Sequence, residues 1–186
     1  MPDVNLTLET DRGVFAAGKV DPGTKLLLLL GPAARTTDQV LVDVGAGYGP
    51  IACTLAARNP QAAVWAVDVN RRARDLCRRN AERAGLANIT VAAPEEVPAD
   101  LAIDGIWSNP PIRVGKAQLH DLLLGWLDRL APEGAAHLVV QKHLGADSLH
   151  HWMEGEGFQV SRRAAKKAYR LLDVTVGVNR RPGSDS

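Results

Sequence analysis

The chain has 186 residues, 46% hydrophobic and 23% charged, which is enough for one domain with a substantial core. Its formal net charge of +1 excludes an overall charge that would attract nucleic acid or membranes, so any basic surface must be local. Two cysteines, Cys53 and Cys77, are too few for a disulfide framework or a metal knuckle. No signal peptide is predicted, and no apolar run reaches the roughly 20 residues that span a bilayer. We expect a cytoplasmic protein without a metal site.

The first 30 residues predict a lead-in hairpin followed by a short helix. Residues 4–10 alternate apolar and polar side chains, as a half-buried strand does, and residues 14–15 would return beside them. Residues 25–30 form an apolar helix, which Gly31-Pro32 ends.

Beyond residue 40, segments typical of strands and helices alternate. The predicted strands are 40–44, 64–67, 89–92, 103–107, 136–141, 158–162 and 169–178. The predicted helices are 50–58, 71–84, 119–130 and 149–154. This alternation favours an α/β fold with a largely parallel, doubly wound sheet, in which helices cover both faces and ligands bind beyond the carboxyl ends of the strands. We expect one domain over 1–186, with a flexible tail over 180–186.

A glycine-rich turn follows the first strand of this region, in the order Asp43-Val44-Gly45-Ala46-Gly47-Tyr48-Gly49-Pro50. Glycines between a strand and a helix let a ligand approach the backbone. The dinucleotide fingerprint Gly-x-Gly-x-x-Gly does not fit, because the third glycine comes one position early and Pro50 stands in its place. Asp43 could hold a cofactor or merely brace this turn.

The next predicted strand ends at Asp68, where a carboxylate can accept both ribose hydroxyls of an adenosine cofactor. Val69 could then pack on the adenine. This pair fits a nicotinamide dinucleotide and S-adenosylmethionine equally. The alternative for Asp68 is a charge at a helix N-terminus, which the helix dipole favours.

The most informative segment follows the fourth strand and reads Ser108-Asn109-Pro110-Pro111-Ile112-Arg113. Two prolines stiffen this loop and push Asn109 toward extended backbone, which aims its side chain near the cofactor. The Asn109 amide oxygen and the Pro110 carbonyl can each accept a hydrogen bond from an –NH2 group. Two such acceptors would turn the lone pair of the amine toward a methyl donor, so that catalysis needs mainly positioning. A rigid turn with an asparagine cap is the alternative.

These motifs resemble the class I S-adenosylmethionine-dependent methyltransferases of the small ribosomal-RNA (guanine-N2) type. The resemblance rests on Asp-x-Gly-x-Gly-x-Gly at Asp43, Asp-x-Asn at Asp68 and Asn-Pro-Pro-Ile-Arg-x-Gly-Lys at Asn109. It extends to the lead-in from Phe15 to Thr24. Asn-Pro-Pro alone is shared with adenine and glutamine-amide methyltransferases, so the residues after it are more specific.

The resemblance implies a Rossmann-like sheet of seven strands with the last strand antiparallel, and S-adenosylmethionine as the cofactor. It implies that the glycine turn contacts the methionine part, that Asp68 holds the ribose and that Glu95 replaces a more usual acid at the adenine amine. The expected cofactor-binding residues are Thr24, Asp43, Gly45, Ala46, Gly47, Asp68, Val69, Glu95 and Asn109. Larger family members carry an extra N-terminal domain, for which this chain has no room, so RNA recognition would rest on this domain or on a partner.

The expected catalytic residues are Asn109 and Pro110, and the expected substrate contacts are Phe15, Pro111, Ile112, Arg113 and Lys116. Ile112 stands where adenine methyltransferases usually carry an aromatic residue for stacking on a flipped base, which argues against adenine. Phe15 could supply a stacking face or pack in the core. Arg113 and Lys116 could bind RNA phosphates.

Two further groups of cations have open roles. Six arginines lie between residues 71 and 83, where a solvated helix face is the usual explanation and RNA contact the alternative. Lys166, Lys167 and Arg170 could form a second basic rim, with salt-sensitive binding if they touch phosphates.

Four functions remain open from the residues. The basic residues around Asn109 favour methylation of guanine N2 in small-subunit (16S) ribosomal RNA over methylation of a protein glutamine or a small-molecule amine. An inactive cofactor-binding module for ribosome assembly is the third, and a nicotinamide-binding protein, disfavoured by the glycine spacing, is the fourth. The expected partner is ribosomal RNA or the small ribosomal subunit, with no membrane or metal, and the chain as a monomer or homodimer.

Overall fold

The structure is a computed structural model that describes residues 4–11, 20–111, 114–166, 168–177 and 180. Its helices are α1 (Pro22–Leu30), α2 (Pro50–Arg58), α3 (Arg71–Arg83), α4 (Lys116–Leu127) and α5 (Ala146–Gly155). Its strands are β1 (Val40–Val44), β2 (Ala63–Val67), β3 (Ile89–Ala92), β4 (Ile103–Ser108), β5 (Leu130–Gln141), β6 (Phe158–Lys166) and β7 (Tyr169–Val176). Short 3-10 turns, Pro94–Glu96 and Lys142–Leu144, follow β3 and β5.

All seven strands pair in one sheet, in the order β3-β2-β1-β4-β5-β7-β6. The pairings among β1 to β5 are parallel, and β7 runs antiparallel to both of its neighbours. The predicted seven-stranded, doubly wound sheet with its last strand antiparallel is therefore confirmed.

Each face of the sheet has its own hydrophobic core. One core, which includes Leu41 and Val139, packs against α1 and α2 and reaches Cys77 of α3. The other, which includes Leu138, packs against α4 and α5. Neighbouring residues of a strand point to opposite faces, so Leu138 and Val139 fill different cores. A central strand that is buried on both faces therefore shows no alternation of apolar and polar residues.

The ends of α3 follow their predicted signals. The Asn70 side chain accepts a hydrogen bond from the Arg72 amide at 3.0 Å, as an N-cap residue does. Gly85, just past the helix, has φ 66°, the left-handed conformation that glycine adopts without a Cβ penalty.

The strand predicted at 4–10 is wrong. Within 4–11 the burial alternates, but no residue there belongs to a strand. Instead it lies along α3, where the Asn80 side chain accepts from the Glu9 amide at 2.7 Å and donates to the Glu9 carbonyl at 3.0 Å. Leu8 packs on a small cluster around Leu76. The Asn80 side chain thus makes the hydrogen bonds to the Glu9 backbone that a neighbouring strand would otherwise make.

The helix predicted at 119–130 is shifted. It begins at Lys116 and ends at Leu127, and Leu130 already pairs with Ile103 as the first residue of β5. At Gly134 a Cβ would lie 2.7 Å from the Ile103 carbonyl oxygen, so this stretch must run close beside β4. The predicted return strand at 14–15 and the tail from residue 181 lie outside the described residues.

Three expected absences bear on function. No helix within the described part of the chain is long and apolar enough to cross a membrane. Among the same residues, no group of His, Cys, Asp and Glu side chains is arranged to hold a metal ion. Cys53 and Cys77 are buried, free thiols.

Candidate active site

A cavity of about 410 Å³ opens at the carboxyl ends of the parallel strands, where a doubly wound sheet binds its ligands. The loops after β1, β2, β3 and β4 contribute to its wall, together with α4 and the end of β5. A smaller recess lies between α1 and the start of α2 and shares Gly45, Gly47 and Asn109 with the cavity. The segments expected to bind cofactor and substrate therefore converge on one place.

The glycine turn is tied to the end of β2 through its backbone. The amides of Gly45 and Ala46 donate to the Val67 carbonyl at 2.8 and 3.0 Å. Gly47 has φ 59°, and a Cβ there would meet nothing within 4 Å, so its missing side chain leaves the cavity open. Gly49 is required by a close approach, since a Cβ would lie 2.6 Å from Cys77 Sγ.

Asp68 links this turn to the start of α3. Its Oδ2 accepts from the Gly47 amide at 2.8 Å and its Oδ1 from the Asn70 amide at 2.8 Å. Each carboxylate oxygen keeps a second lone pair, so both can still accept from ribose hydroxyls. The Arg74 guanidinium donates to the carbonyls of Asp68 and Val69 and holds this corner in place.

The apolar part of the wall fits an adenine ring. Val69 is 79% exposed although it borders the cavity, and Pro94 and Leu122 border it as well. An exposed valine beside the Asp68 carboxylate suits a ring that packs on it. Together with the open glycine turn, these residues fit the parts of S-adenosylmethionine.

Asp43 has a different place from the one expected of a cofactor ligand. It is fully buried, and it lies beneath the turn rather than in the cavity wall. Its Oδ2 accepts from the Ala52 amide at 2.9 Å, whereas Oδ1 has no partner within the described residues. Burial raises the pKa of Asp43 to about 8. Its contacts support the alternative weighed above, in which Asp43 braces the turn at the start of α2.

Asn109 projects from the end of β4 into both the cavity and the recess. The Ser108 hydroxyl donates to the Val44 carbonyl at 2.6 Å and binds the start of this loop to β1. Asn109 Nδ2 donates to Asp21 Oδ2 at 2.8 Å and to Thr24 Oγ1 at 3.1 Å. Both amide protons of Asn109 are thereby used, and its Oδ1 has no partner within the described part of the chain.

The proline loop lies beside the glycine turn in the cavity wall. A Cβ on Gly45 would lie 3.9 Å from Pro111 Cδ, so the two loops are within contact distance of each other. Pro110 is buried and Pro111 is exposed, and both line the cavity. The two segments singled out in the sequence thus form neighbouring parts of one cavity wall.

Apart from the buried Asp43, the predicted site residues fall into three groups. The cavity and its recess bring together Thr24, Gly45, Ala46, Gly47, Asp68, Val69, Asn109, Pro110 and Pro111. Glu95 is exposed on the 3-10 turn next to Pro94, and Lys116 is exposed at the start of α4. Phe15, Ile112 and Arg113 lie outside the described residues, so their expected roles stay predictions.

Sequence reasoning missed part of the wall. Asp21 lines the cavity and caps α1, and an Asp before Pro-Gly-Thr at the start of an apolar helix is a recognisable cap signal. Trp126 of α4 also borders the cavity, as do Gln141 and Leu144. These three had no local signal, because they reach the site only through the packing of α4 and the length of β5.

The six arginines of α3 are all engaged. Glu9 and Asp11 of the N-terminal segment pair with three of them: Arg72 with Asp11 at 2.7 Å, and Arg79 and Arg83 with Glu9. Asp75, on the helix itself, pairs with Arg71 and Arg78. The sixth, Arg74, binds the carbonyls named above.

Three exposed lysines, called the rim lysines below, lie on or next to elements that border the cavity, namely Lys116 on α4, Lys142 after β5 and Lys166 on β6. Lys142 directly follows the cavity residue Gln141. Gln141 at the end of β5 pairs with Tyr169 of β7, which in turn pairs with Lys166 of β6. Lys166 is therefore two strands away from Gln141, at a distance of about 10 Å. None of the three lysines has an ion-pair partner among the residues that the structure describes.

Known proteins share this arrangement. The family model of the methyltransferase small domain matches residues 5–173. A Bacillus subtilis protein, YbxB, itself uncharacterized, is 33% identical over 171 residues, which cover 90% of this chain and 85% of YbxB. The ribosomal RNA small subunit methyltransferase C of Hahella chejuensis is 34% identical over 143 residues, 75% of this chain and 41% of that protein.

A solved structure shows the same likeness. The 16S rRNA N2 G1207 methyltransferase of T. thermophilus, in complex with AdoMet and guanosine, matches with a TM-score of 0.70 and 30% identity. The match covers 88% of this chain and 45% of the other. The chain therefore spans less than half the length of the ribosomal RNA methyltransferases cited here.

Proposed function

The chain belongs to the methyltransferase small-domain family, whose cofactor is S-adenosylmethionine, and we propose that it methylates an exocyclic amine, namely guanine N2 of small-subunit ribosomal RNA. The observation that carries the proposal is the free amide oxygen of Asn109. Both protons of the amide are used on Asp21 and Thr24, so the group that faces a substrate is an acceptor. An acceptor matches an –NH2 group and repels a carbonyl oxygen.

The proposed chemistry depends on orientation. Asn109 Oδ1 and the Pro110 carbonyl would accept the two amine protons and leave the nitrogen lone pair directed toward the glycine turn. S-Adenosylmethionine, when bound, supplies an electrophilic methyl group. Positioning of this kind can contribute roughly 7–11 kcal/mol to lowering a barrier. The nitrogen can lose its proton after attack, so no strong base is required.

The cofactor is proposed to lie along the wall formed by β1 and β2. Gly45, Ala46 and Gly47 would contact its methionine part, with Thr24 nearby. Asp68 would accept from the ribose hydroxyls and Val69 would pack on the adenine, for which its exposure is supporting evidence. Glu95 is the proposed partner of the adenine amine. The fully buried Asp43 would act through the turn above it.

Ribosomal RNA is the proposed substrate because two kinds of support agree. The small subunit methyltransferase C of Hahella chejuensis and the T. thermophilus enzyme carry this substrate in their names, at 34% and 30% identity. The rim lysines have no ion-pair partner among the described residues and could neutralise phosphates. Phe15, Pro111, Ile112 and Arg113 complete the proposed base and phosphate contacts. A monomer or homodimer remains the expected assembly.

The test is methyl transfer from radiolabelled S-adenosylmethionine to unmodified small ribosomal subunits and to naked 16S RNA. We expect label in RNA as N2-methylguanine. Asn109→Ala should reduce the rate about 10²- to 10³-fold, as loss of a positioned hydrogen-bonding group does. Asn5→Ala, an exposed asparagine outside the cavity wall, is the matched control and should keep full activity.

Two results would contradict the proposal. No label in either RNA, with cofactor binding confirmed by calorimetry, would favour an inactive module. Label in an added protein or a small amine but not in RNA would move the substrate to the second class considered from the sequence.

A further inference from the structure

We propose that Asp21 is a positioning residue that fixes which end of the Asn109 amide faces the substrate, an inference that rests on the proposed methyl transfer to an amine. Asp21 has one carboxylate oxygen, Oδ2, that accepts three hydrogen bonds. The donors are the amides of Gly23 and Thr24, at 2.7 and 3.0 Å, and Asn109 Nδ2 at 2.8 Å. One atom therefore joins the start of α1 to the proposed catalytic side chain.

The direction of the Asn109 amide follows from the chemistry of its neighbours. The nitrogen and oxygen of an amide side chain occupy similar positions, and only their partners distinguish them. The Thr24 hydroxyl can donate or accept, so it does not decide between the two orientations. An ionised carboxylate only accepts, so Asp21 requires the nitrogen on its side and leaves Oδ1 on the other. A reversed amide would set two acceptor oxygens against each other.

The position of Asp21 is itself firmly built. A Cβ on Gly23 would lie 2.9 Å from Asp21 Oδ2 and 2.7 Å from Tyr169 Cε1, so this turn accommodates no side chain. Tyr169 is held in turn by the Gln141 amide, which donates to its hydroxyl at 3.1 Å. The positive end of the α1 dipole also favours a negative charge at the N-cap. The carboxylate is thus anchored to the start of α1, and Tyr169 of the sheet lies against the same turn.

Two substitutions separate this role from helix capping. Ser and Asn both cap helices about as well as Asp. Asp21→Ser keeps a cap but is too short to reach Asn109, whereas Asp21→Asn keeps the length and an acceptor oxygen. We expect Asp21→Ser to lower kcat roughly 10- to 100-fold and Asp21→Asn to stay within about threefold of wild type. Cofactor affinity and Tm should match between the two variants.

A double-mutant cycle tests whether Asp21 acts through Asn109. In an Asn109→Ala background, Asp21→Ser should cost less than about twofold, since the group it orients is gone. Independent, multiplying effects in the cycle would overturn the inference. Equal activity of Asp21→Ser and wild type would also overturn it. A decrease in kcat that parallels the decrease in Tm in both Asp21 variants would do the same.

A second readout does not require turnover. The Asn109 side-chain amide, identified in ¹⁵N NMR by its loss in Asn109→Ala, should show a proton shifted downfield by its hydrogen bond to the Asp21 side-chain oxygen. The shift should vanish in Asp21→Ser and persist in Asp21→Asn. If wild type methylates no amine, the proposed function fails and this signal still decides the Asp21–Asn109 contact. If wild type is active and the signal is unchanged in Asp21→Ser, the inference fails and the function stands.

Discussion

Helix α3 is much richer in cations than the rim of the cavity, yet the rim is the better place for a polyanion. Each α3 arginine is engaged by Glu9, Asp11, Asp75 or backbone carbonyls. The rim lysines have no such partners among the described residues. A phosphate at α3 would compete with carboxylates already in place, whereas one at the rim meets uncompensated charge.

The difference shows why the density of a basic run is a poor guide to binding. Half of the α3 cluster is paired with residues more than sixty positions away in the chain, at Glu9 and Asp11. Lys142 and Lys166 are far apart in the sequence and lie near each other only because β5, β6 and β7 pair. What decides the electrostatics is the set of neighbours in space.

The largest expected effect on RNA affinity comes from the rim. Replacing Lys142→Glu and Lys166→Glu together should weaken binding to 16S RNA tenfold or more. The slope of log affinity against log salt should become shallower by about 2, which is the signature of two lost phosphate contacts. Fluorescence anisotropy over a salt series measures both quantities. Wild-type affinity in the double variant would place the RNA elsewhere on the surface.

A smaller effect should follow from freeing the α3 arginines. Glu9→Gln with Asp11→Asn removes the carboxylates that pair with Arg72, Arg79 and Arg83. We expect non-specific RNA binding to rise about two- to threefold, with a steeper salt dependence because more cations can release counterions. Binding to a random RNA of equal length provides the measurement, and unchanged affinity would show that this face does not reach RNA at all.

Direct neutralisation of α3 should change RNA affinity still less. Arg79→Gln with Arg83→Gln removes two positive charges, the same number of cations as in the rim variant, and affinity should stay within about twofold. The loss of the pairs with Glu9 should lower the free energy of unfolding by no more than about 1 kcal/mol, as for exposed ion pairs. A tenfold fall in affinity at unchanged stability would reverse the assignment of the two regions.

The smallest effect on RNA affinity is expected for Asp43, a buried carboxyl group that belongs to neither region. The raised pKa of Asp43, about 8, means that the folded protein holds a proton there that the unfolded chain releases near its ordinary pKa. Stability from this group is present at low pH and falls as pH rises from about 4 toward 8. Asp43→Asn should reduce this pH-dependent decrease in the free energy of unfolding by at least about 1 kcal/mol. Urea unfolding at pH 5 and pH 8.5 measures it, and an equal fall in both proteins would show that Asp43 is ionised in the fold.

Much of the sheet was predictable because its signals are local. The buried strands have mainly apolar runs, and α3 carries a cap residue and a terminal glycine at its ends. The N-terminal segment shows the limit of such reasoning. Its alternation predicted a strand, but a side chain of α3, Asn80, satisfied the hydrogen bonds of Glu9, and no sequence pattern specifies that partner.

The candidate site likewise combines features that the sequence predicts with features that only the tertiary structure decides. The sequence by itself determined the chemical groups, namely a glycine turn, a carboxylate after the second strand and an asparagine before two prolines. The tertiary structure decided their states: Asp43 is buried and beneath the turn, and Asn109 presents its oxygen because Asp21 takes its nitrogen. The physical reason is that residue type sets what a group can donate or accept. Burial and partners, which depend on distant parts of the chain, set what it has left to offer a ligand.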